Sequence, residues 1–361
     1  MSNVLPLRRL LVGPPPAPDR ILFTELWYRG HNNPRYSQFL PRLQRLDRYH
    51  LVVSDRKVVR GLQFRALRAT ATSRHRLLFG AARRRGYRSL FASERQQIAL
   101  WPGPVVADCD DPKFSPEEVE LLKRPNLRAY VVVRDAVARR YEELGVDKPW
   151  HVIPHGVNLR SVTPEKAAEM RRRFRADGEV VMGFHASWLL SRGDRNGDDP
   201  FHNVDHLLDL WDELRARVPR ARLWLIGSAS KRVRDRCEGR GDIRVFGRVP
   251  QEDLLSYVSN YDIALYPRSA DHGTFQTTKV VEYMGCGVPT VAYDYEITSH
   301  LREAGAGLLV STPREFVDAV GKLASDEALR RRLADASRVA GAAQDYDVLA
   351  RQYAGILDRH L

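Results

Sequence analysis

Cysteine is scarce: Cys109, Cys237 and Cys286 are the only three in 361 residues, far apart and without a CxxC spacing. An odd, scattered set excludes a disulfide framework and a thiolate zinc site, and makes a reducing cytoplasm the expected compartment. Long apolar runs are missing too; none approaches the roughly eighteen residues that span a bilayer. There is no HExxH, no G-x-S-x-G and no P-loop, so metalloprotease, serine hydrolase and kinase chemistry have no support. The opening MSNVLPLRRLLVGPPPAPDR, broken by three consecutive prolines, does not read as a cleaved signal. With 29% charged and 9% aromatic residues the composition is globular, and the length suits two domains that each bury a core.

Positive charge is in excess, but only in one half. Residues 1–160 hold a net +14 and the remainder −1; positions 8–95 alone carry 20 Lys and Arg against 5 Asp and Glu, with Arg83, Arg84, Arg85 and Arg88 clustered. Such a surface attracts anions: an acidic glycan, phospholipid headgroups or nucleic acid phosphates. Arg spread over solvated faces by composition alone explains the total equally well, but not the near-neutral second half.

Short β-branched or aliphatic runs alternate with amphipathic helical stretches, the pattern of parallel sheets covered by helices. Strands are predicted over 21–25, 50–54, 89–92, 105–108, 129–133 and 151–153, then over 180–185, 221–226, 243–246, 263–266, 290–292 and 307–310. Helical spacing covers 167–176 and 204–217, with a domain boundary near 160–166. Two doubly wound sheets follow, and ligands of such sheets bind beyond the carboxyl ends of the strands, which makes the cleft between the domains the expected site.

The most informative stretch is RSADHGTFQTTKVVEYMGCGVPTVAY, residues 268–293. A strand ends, a loop with Gly273 follows, and Thr277 or Thr278 is placed to N-cap a short helix beginning near Lys279. Amide groups at such a start suit a diphosphate. Lys279 and Glu282 share a helical face; they read either as a surface ion pair or as a carboxylate that takes the two hydroxyls of a ribose. PVVADCDDPKF brings Asp108, Asp110 and Asp111 to the end of another strand, as an acceptor-orienting pair, a weak DxD metal pattern, or caps of the next turn. SRGDRNGDDPFHN lacks the later Glu of a calcium loop and reads as a lid over the nucleotide.

KVVEYMGCGVPTV, preceded by WLIGSAS and FGRVPQEDLLSYVSNYDIALYPR, resembles the carboxyl-terminal domain of GT-B glycosyltransferase family 4. VVVRDAVARRYEELGVDKPWHVIPHGVNL resembles that family's passage from first to second domain, so the resemblance spans about 129–357. It implies a GT-B fold of two Rossmann-like domains: an acceptor-binding domain over 1–160, a nucleotide-sugar donor domain over 161–345, and a final helix, 346–361, that returns to the first. It also implies transfer of a hexose from a UDP- or GDP-type donor to a hydroxyl, with retention, without metal or cofactor. Residue by residue, Glu282 matches the second acid of the E-x7-E motif and binds donor ribose, whereas the first acid's position reads Thr274, leaving Asp271 or His272 to reach the transferred sugar. The cations that neutralise the diphosphate in the family read Ala186 and His202 here, so that role passes to Arg268 and Lys279, with Lys231 and Arg232 as alternatives. His185, Gly227, Gly247, Val249, Phe275, Gln276, Thr277 and Thr278 complete the donor side, with Gly30 reaching it from the first domain. The resemblance implies a place near the reacting carbon for Asp110, with Asp110 or Asp111 to orient the acceptor hydroxyl or stabilise oxocarbenium character. The basic first domain points to an anionic glycan or lipid acceptor, one presented at the inner membrane face included. A nucleic acid acceptor, and a nucleotide-sugar-binding protein without turnover, stay open.

Overall fold

The computed structural model describes residues 21–25, 34–45, 49–53, 76, 79–80, 82–84, 86–195, 203–268 and 277–361. The chain divides into two compact units, one of Met1–Pro154 with Tyr346–Leu361 and one of His155–Asp345.

The first unit holds, among its described residues, strands β1 (Ile21–Glu25), β2 (Tyr49–Val53), β3 (Ser89–Ala92), β4 (Val105–Cys109), β5 (Leu127–Val132) and β6 (Trp150–Val152). They form a parallel sheet in the order β2-β1-β3-β4-β5-β6. β3 and β4 are buried along their whole length, so they are apolar but for Ser89 and Asp108, as befits strands covered on both faces. The pleat sends Val105, Ala107 and Cys109 into one core with Trp101 and Tyr141, and Val106 into another with Phe39, Phe91 and Tyr353. The helix Tyr346–His360 closes that second core: the rings of Tyr346 and Tyr353 stand edge-on to Phe39 at 5.0 and 4.6 Å.

At the far end of the same helix His360 Nε2 lies 2.9 Å from His151 Nε2 of β6. One ring must donate and the other accept, so the contact holds only while at least one imidazole is neutral. Burial lowers both pKa values below their ordinary 6.5, helped by His360 and Arg359 at His151 and by Arg359 at His360. The unfolded chain therefore takes up these protons first as pH falls; stability is full above pH 6.5 and is lost as pH drops through the folded values. We expect the hydrogen-exchange protection factors of the Tyr346–His360 helix, corrected for the intrinsic pH dependence of exchange, to fall between pH 7 and 5, and His360→Gln to flatten that slope. An unchanged slope in the variant would assign the effect elsewhere.

The second unit's described strands are β7 (Val180–Leu189), β8 (Ala221–Ala229), β9 (Ile243–Gly247), β10 (Ile263–Tyr266), β11 (Thr290–Tyr293) and β12 (Gly307–Val310). They too are parallel, in the order β12-β11-β10-β7-β8-β9. β7 runs past its predicted end at His185 because pairing with β8 resumes beyond a bulge between His185 and Trp188, and β8 lengthens with it. The helix predicted over 167–176 starts earlier, at Pro164, where proline's fixed φ suits the first helical position. Among the described residues no helix is long and apolar enough to cross a membrane.

Candidate functional site

The strand order of the second sheet reverses between β7 and β10, and a ligand of an open parallel sheet sits outside the carboxyl ends of the strands at that point. β7 delivers Phe184 and His185 there, β10 delivers Tyr266, and Pro267 and Arg268 follow. Phe184, Tyr266, Pro267 and Arg268, with Asn203, Val204 and Leu207, line a small open hollow. Arg268 is buried in its wall, 4% exposed.

The next helix, Thr278–Gly285, buries Val280, Val281, Tyr283 and Met284 and leaves Thr278, Lys279 and Glu282 half-buried along one stripe. Thr277 occupies the N-cap position with extended backbone, but its hydroxyl makes no capping hydrogen bond, contrary to the expectation from sequence. The helix is fixed from behind by close backbone contact: a Cβ on Gly341 of the Glu327–Ala343 helix would fall 2.5 Å from the Gly285 Cα.

Glu282 meets His185 across the top of β7. Their Oε2 and Nε2 atoms are 2.7 Å apart, with the histidine side chain 6% and the glutamate side chain 16% exposed. The His185 main-chain N–H donates to the Tyr283 hydroxyl at 3.3 Å, and the two rings stand edge-on at 5.0 Å. Burial raises the Tyr283 pKa well above the ordinary phenol value, against the pull of that N–H, so its hydroxyl stays neutral.

The other predicted donor-side residues divide. Gly227 is next to the site for a packing reason: at φ +147° a Cβ there would lie 2.0 Å from the Ala186 carbonyl oxygen. Gly227→Ala should therefore destabilise the fold by about 1–3 kcal/mol, read from thermal unfolding. A stable Ala variant that loses nucleotide affinity would return Gly227 to the ligand. Gly247, with φ +71° and open space about it, ends the edge strand β9, and Val249 follows; β8 and β7 separate both from β10. Lys231 pairs with Asp235 at 2.7 Å, and Arg232 Nη1 donates to the Arg192 carbonyl at 2.8 Å. The start of the predicted lid is pinned: Ser191 Oγ donates to Asp205 at 2.8 Å, and Asp194 accepts from the Ser191 N–H. Gly30, His202, Asp271, His272, Thr274, Phe275 and Gln276 lie outside the described residues.

The three carboxylates of the first unit play different parts. Asp108 is 1% exposed and committed: Arg35 Nε donates to its Oδ2 at 2.8 Å and the Tyr353 hydroxyl does so at 2.6 Å. It is therefore not the first member of an open DxD pair. Asp110 is half-buried and accepts from the Tyr36 hydroxyl at 3.3 Å, whereas Asp111 is exposed and its carbonyl accepts from Arg95 Nη2. The following turn is capped instead by Glu118, whose Oε2 accepts from the N–H groups of Lys113 and Phe114. No group of three or more His, Cys, Asp or Glu among the described residues is set to hold a metal ion. Sequence reasoning missed Arg35 and Tyr353, which lie 73 residues before and 245 after Asp108.

Residues 195–326 match the family model described as Glycosyl transferases group 1. The match falls inside the second unit and includes β8, β10 and the helix that carries Glu282. A curated relative, Glycosyltransferase 1 domain-containing protein 1 of Xenopus tropicalis, is 25% identical over 190 residues, 51% of this chain. The match takes in 52% of the relative, so the chain spans about half the length of the curated protein it matches. Anabaena Alr3699/HepE in complex with UDP has TM-score 0.73 at 17% identity, over 94% of this chain and 100% of that one. A glycosyltransferase from Rickettsia africae ESF-5 has TM-score 0.69 at 13% identity, over 94% and 98%. At these identities the likeness establishes the architecture: two parallel-sheet, Rossmann-like α/β domains, as in GT-B glycosyltransferase structures.

Proposed function

We propose that this chain is a glycosyltransferase that uses a nucleotide sugar and moves a hexose from it, with retention, to an acceptor hydroxyl. The observation that carries the reading is the half-buried Glu282 carboxylate, anchored by His185 at the reversal point of the second sheet, within the segment that matches glycosyl transferases group 1. A carboxylate there suits the vicinal hydroxyls of a ribose, since it accepts through several lone pairs. The diphosphate would lie toward the start of the same helix, where the dipole, Lys279 and Arg268 favour negative charge. As the glycosidic bond breaks, the leaving diphosphate gains charge, and groups already aimed at it stabilise the transition state without reorganising. The donor phosphate itself takes the proton of the attacking hydroxyl. Asp110 and Asp111 are assigned to the acceptor side. A UDP donor is favoured because Alr3699/HepE, of like fold, is described in complex with UDP-glucose.

The acceptor is proposed to be anionic, on the strength of the +14 balance of residues 1–160. Turnover should then weaken with added salt as charge attraction is screened.

The test has two arms. Thermal-shift titration with UDP-, GDP-, ADP- and dTDP-sugars should single out one nucleotide by a rise in apparent stability. Incubation of that donor with neutral and anionic acceptors should release nucleoside diphosphate. Binding without release across the panel would leave a nucleotide-sugar-binding protein, and protection of the first unit by oligonucleotide would turn the acceptor to nucleic acid.

A further inference from the structure

A carboxylate that grips two hydroxyls does so best if it is already held in the gripping rotamer, because freedom lost on binding is subtracted from affinity. In this chain the holder is visible. His185 is 4% exposed, its main-chain N–H is bonded to the Tyr283 hydroxyl, and its ring is packed edge-on against the Tyr283 ring. The imidazole is not free to turn.

Its two nitrogens face different surroundings. Nε2 is 2.7 Å from Glu282 Oε2, while Nδ1 is buried and has no hydrogen-bond partner among the described residues. The carboxylate needs a donor at Nε2, and a proton on Nδ1 would be a buried donor with nothing to accept it. Both demands place a proton on Nε2 and none on Nδ1. One lone pair of Oε2 is then taken by His185. Among the described residues nothing else bonds the second lone pair of Oε2 or Oε1, on a side chain that is 16% exposed, and these are left for a ligand.

We infer that His185 is a positioning residue for nucleotide binding: it never touches the nucleotide, but holds Glu282 in the rotamer that receives the two ribose hydroxyls. The inference rests on the ribose reading of Glu282 given above and adds to it the residue that makes the carboxylate selective. The relevant property is the preference for a nucleotide that has both hydroxyls over one that has neither.

Calorimetric titration of the full chain with UDP and with 2′,3′-dideoxy-UDP measures that preference directly, with GDP and its dideoxy form used if GDP binds more tightly. The unaltered protein should favour UDP by about tenfold or more. His185→Ala should bind both nucleotides alike, at the affinity the unaltered protein shows for the dideoxy form. His185→Gln, whose amide N–H stands in for Nε2–H, should restore part of the preference, and His185→Asn, too short to reach, should not. The Gln and Asn pair decides the matter if the Ala variant fails to fold. A His185→Ala protein that keeps the preference, or that loses both nucleotides equally, overturns the positioning role. If Glu282→Ala abolishes the preference while His185→Ala does not, the ribose reading survives and only the role of His185 falls. An unaltered protein that does not distinguish the two nucleotides overturns both.

Discussion

Asp108→Ala is expected to remove about 3–5 kcal/mol from the stability of the first unit, the cost of leaving a buried charge without its partner. The Arg35 guanidinium is 1% exposed, and it is satisfied from several sides: Asp108 at 2.8 Å, the carbonyls of Ile153 and Pro154 at 2.8 Å each, and the Tyr353 hydroxyl at 2.7 Å. Burial alone would make Arg35 release its proton more readily. The pull of Asp108 and Tyr353 outweighs that, and its pKa ends above the ordinary guanidinium value. Removing the carboxylate removes the buried negative group that faces the guanidinium directly and leaves a cation that cannot neutralise itself. The network ties helix Pro34–Gln44, β4 and helix Tyr346–His360 together, so amides of those three segments should exchange faster together. Arg35→Met in the Asp108→Ala background should recover most of the loss, because the penalty lies in the orphaned charge and not in the missing bond. Exchange protection within about 1 kcal/mol of the unaltered protein, or a double variant no better than the single, would show that water or another group reaches Arg35.

This network was not legible in the sequence, and the reason is separation. Asp108 stands in PVVADCDDPKF among carboxylates that look equivalent, and nothing local distinguishes the one that points into the sheet from the two beyond its end. The difference is made by Arg35 from the helix Pro34–Gln44 and Tyr353 from the last helix, both distant in sequence. Several strands were legible: β1, β3, β10 and β12 have the bounds predicted for them, and β3 and β10 are buried at every position, which calls for largely apolar runs. Strand ends were less so. Whether β7 stops at His185 or continues to Leu189 depends on β8 resuming its pairing after a bulge, a property of two segments together. The placing of Glu282 was legible, because KVVEY puts it three positions from Lys279 on the half-buried stripe of an otherwise apolar helix. Its tie to His185, 97 positions away, was not, although His185 stood among the donor-side candidates. Gly227 shows the converse: a glycine beside the site reads as a place where backbone approaches a ligand, yet the backbone it approaches is that of Ala186.

Glu282→Ala should weaken binding of the donor nucleotide by an order of magnitude or more, about 1.5–3 kcal/mol for hydrogen bonds to a charged acceptor. The loss should be confined to the ribose: 2′,3′-dideoxy-UDP should bind the variant as it binds the unaltered protein, and UDP should fall to the same level. The substitution also strips His185 Nε2–H of its acceptor in a largely buried place, so a loss of about 1–3 kcal/mol in stability is expected beside the loss in affinity. Glu282→Gln separates the two effects. Its amide oxygen can still accept from His185, which preserves the fold, but it offers the ribose a neutral acceptor in place of a charged one, and affinity should fall between the other two proteins. The order Glu over Gln over Ala in affinity, with Glu and Gln close in stability, is the signature of a carboxylate that serves a ligand. Equal affinities with graded stabilities would instead mean that Glu282 exists to satisfy His185, as a buried pair of structural worth, and the anchor of any nucleotide at the end of β10 would have to be sought in Arg268 and the hollow beside it.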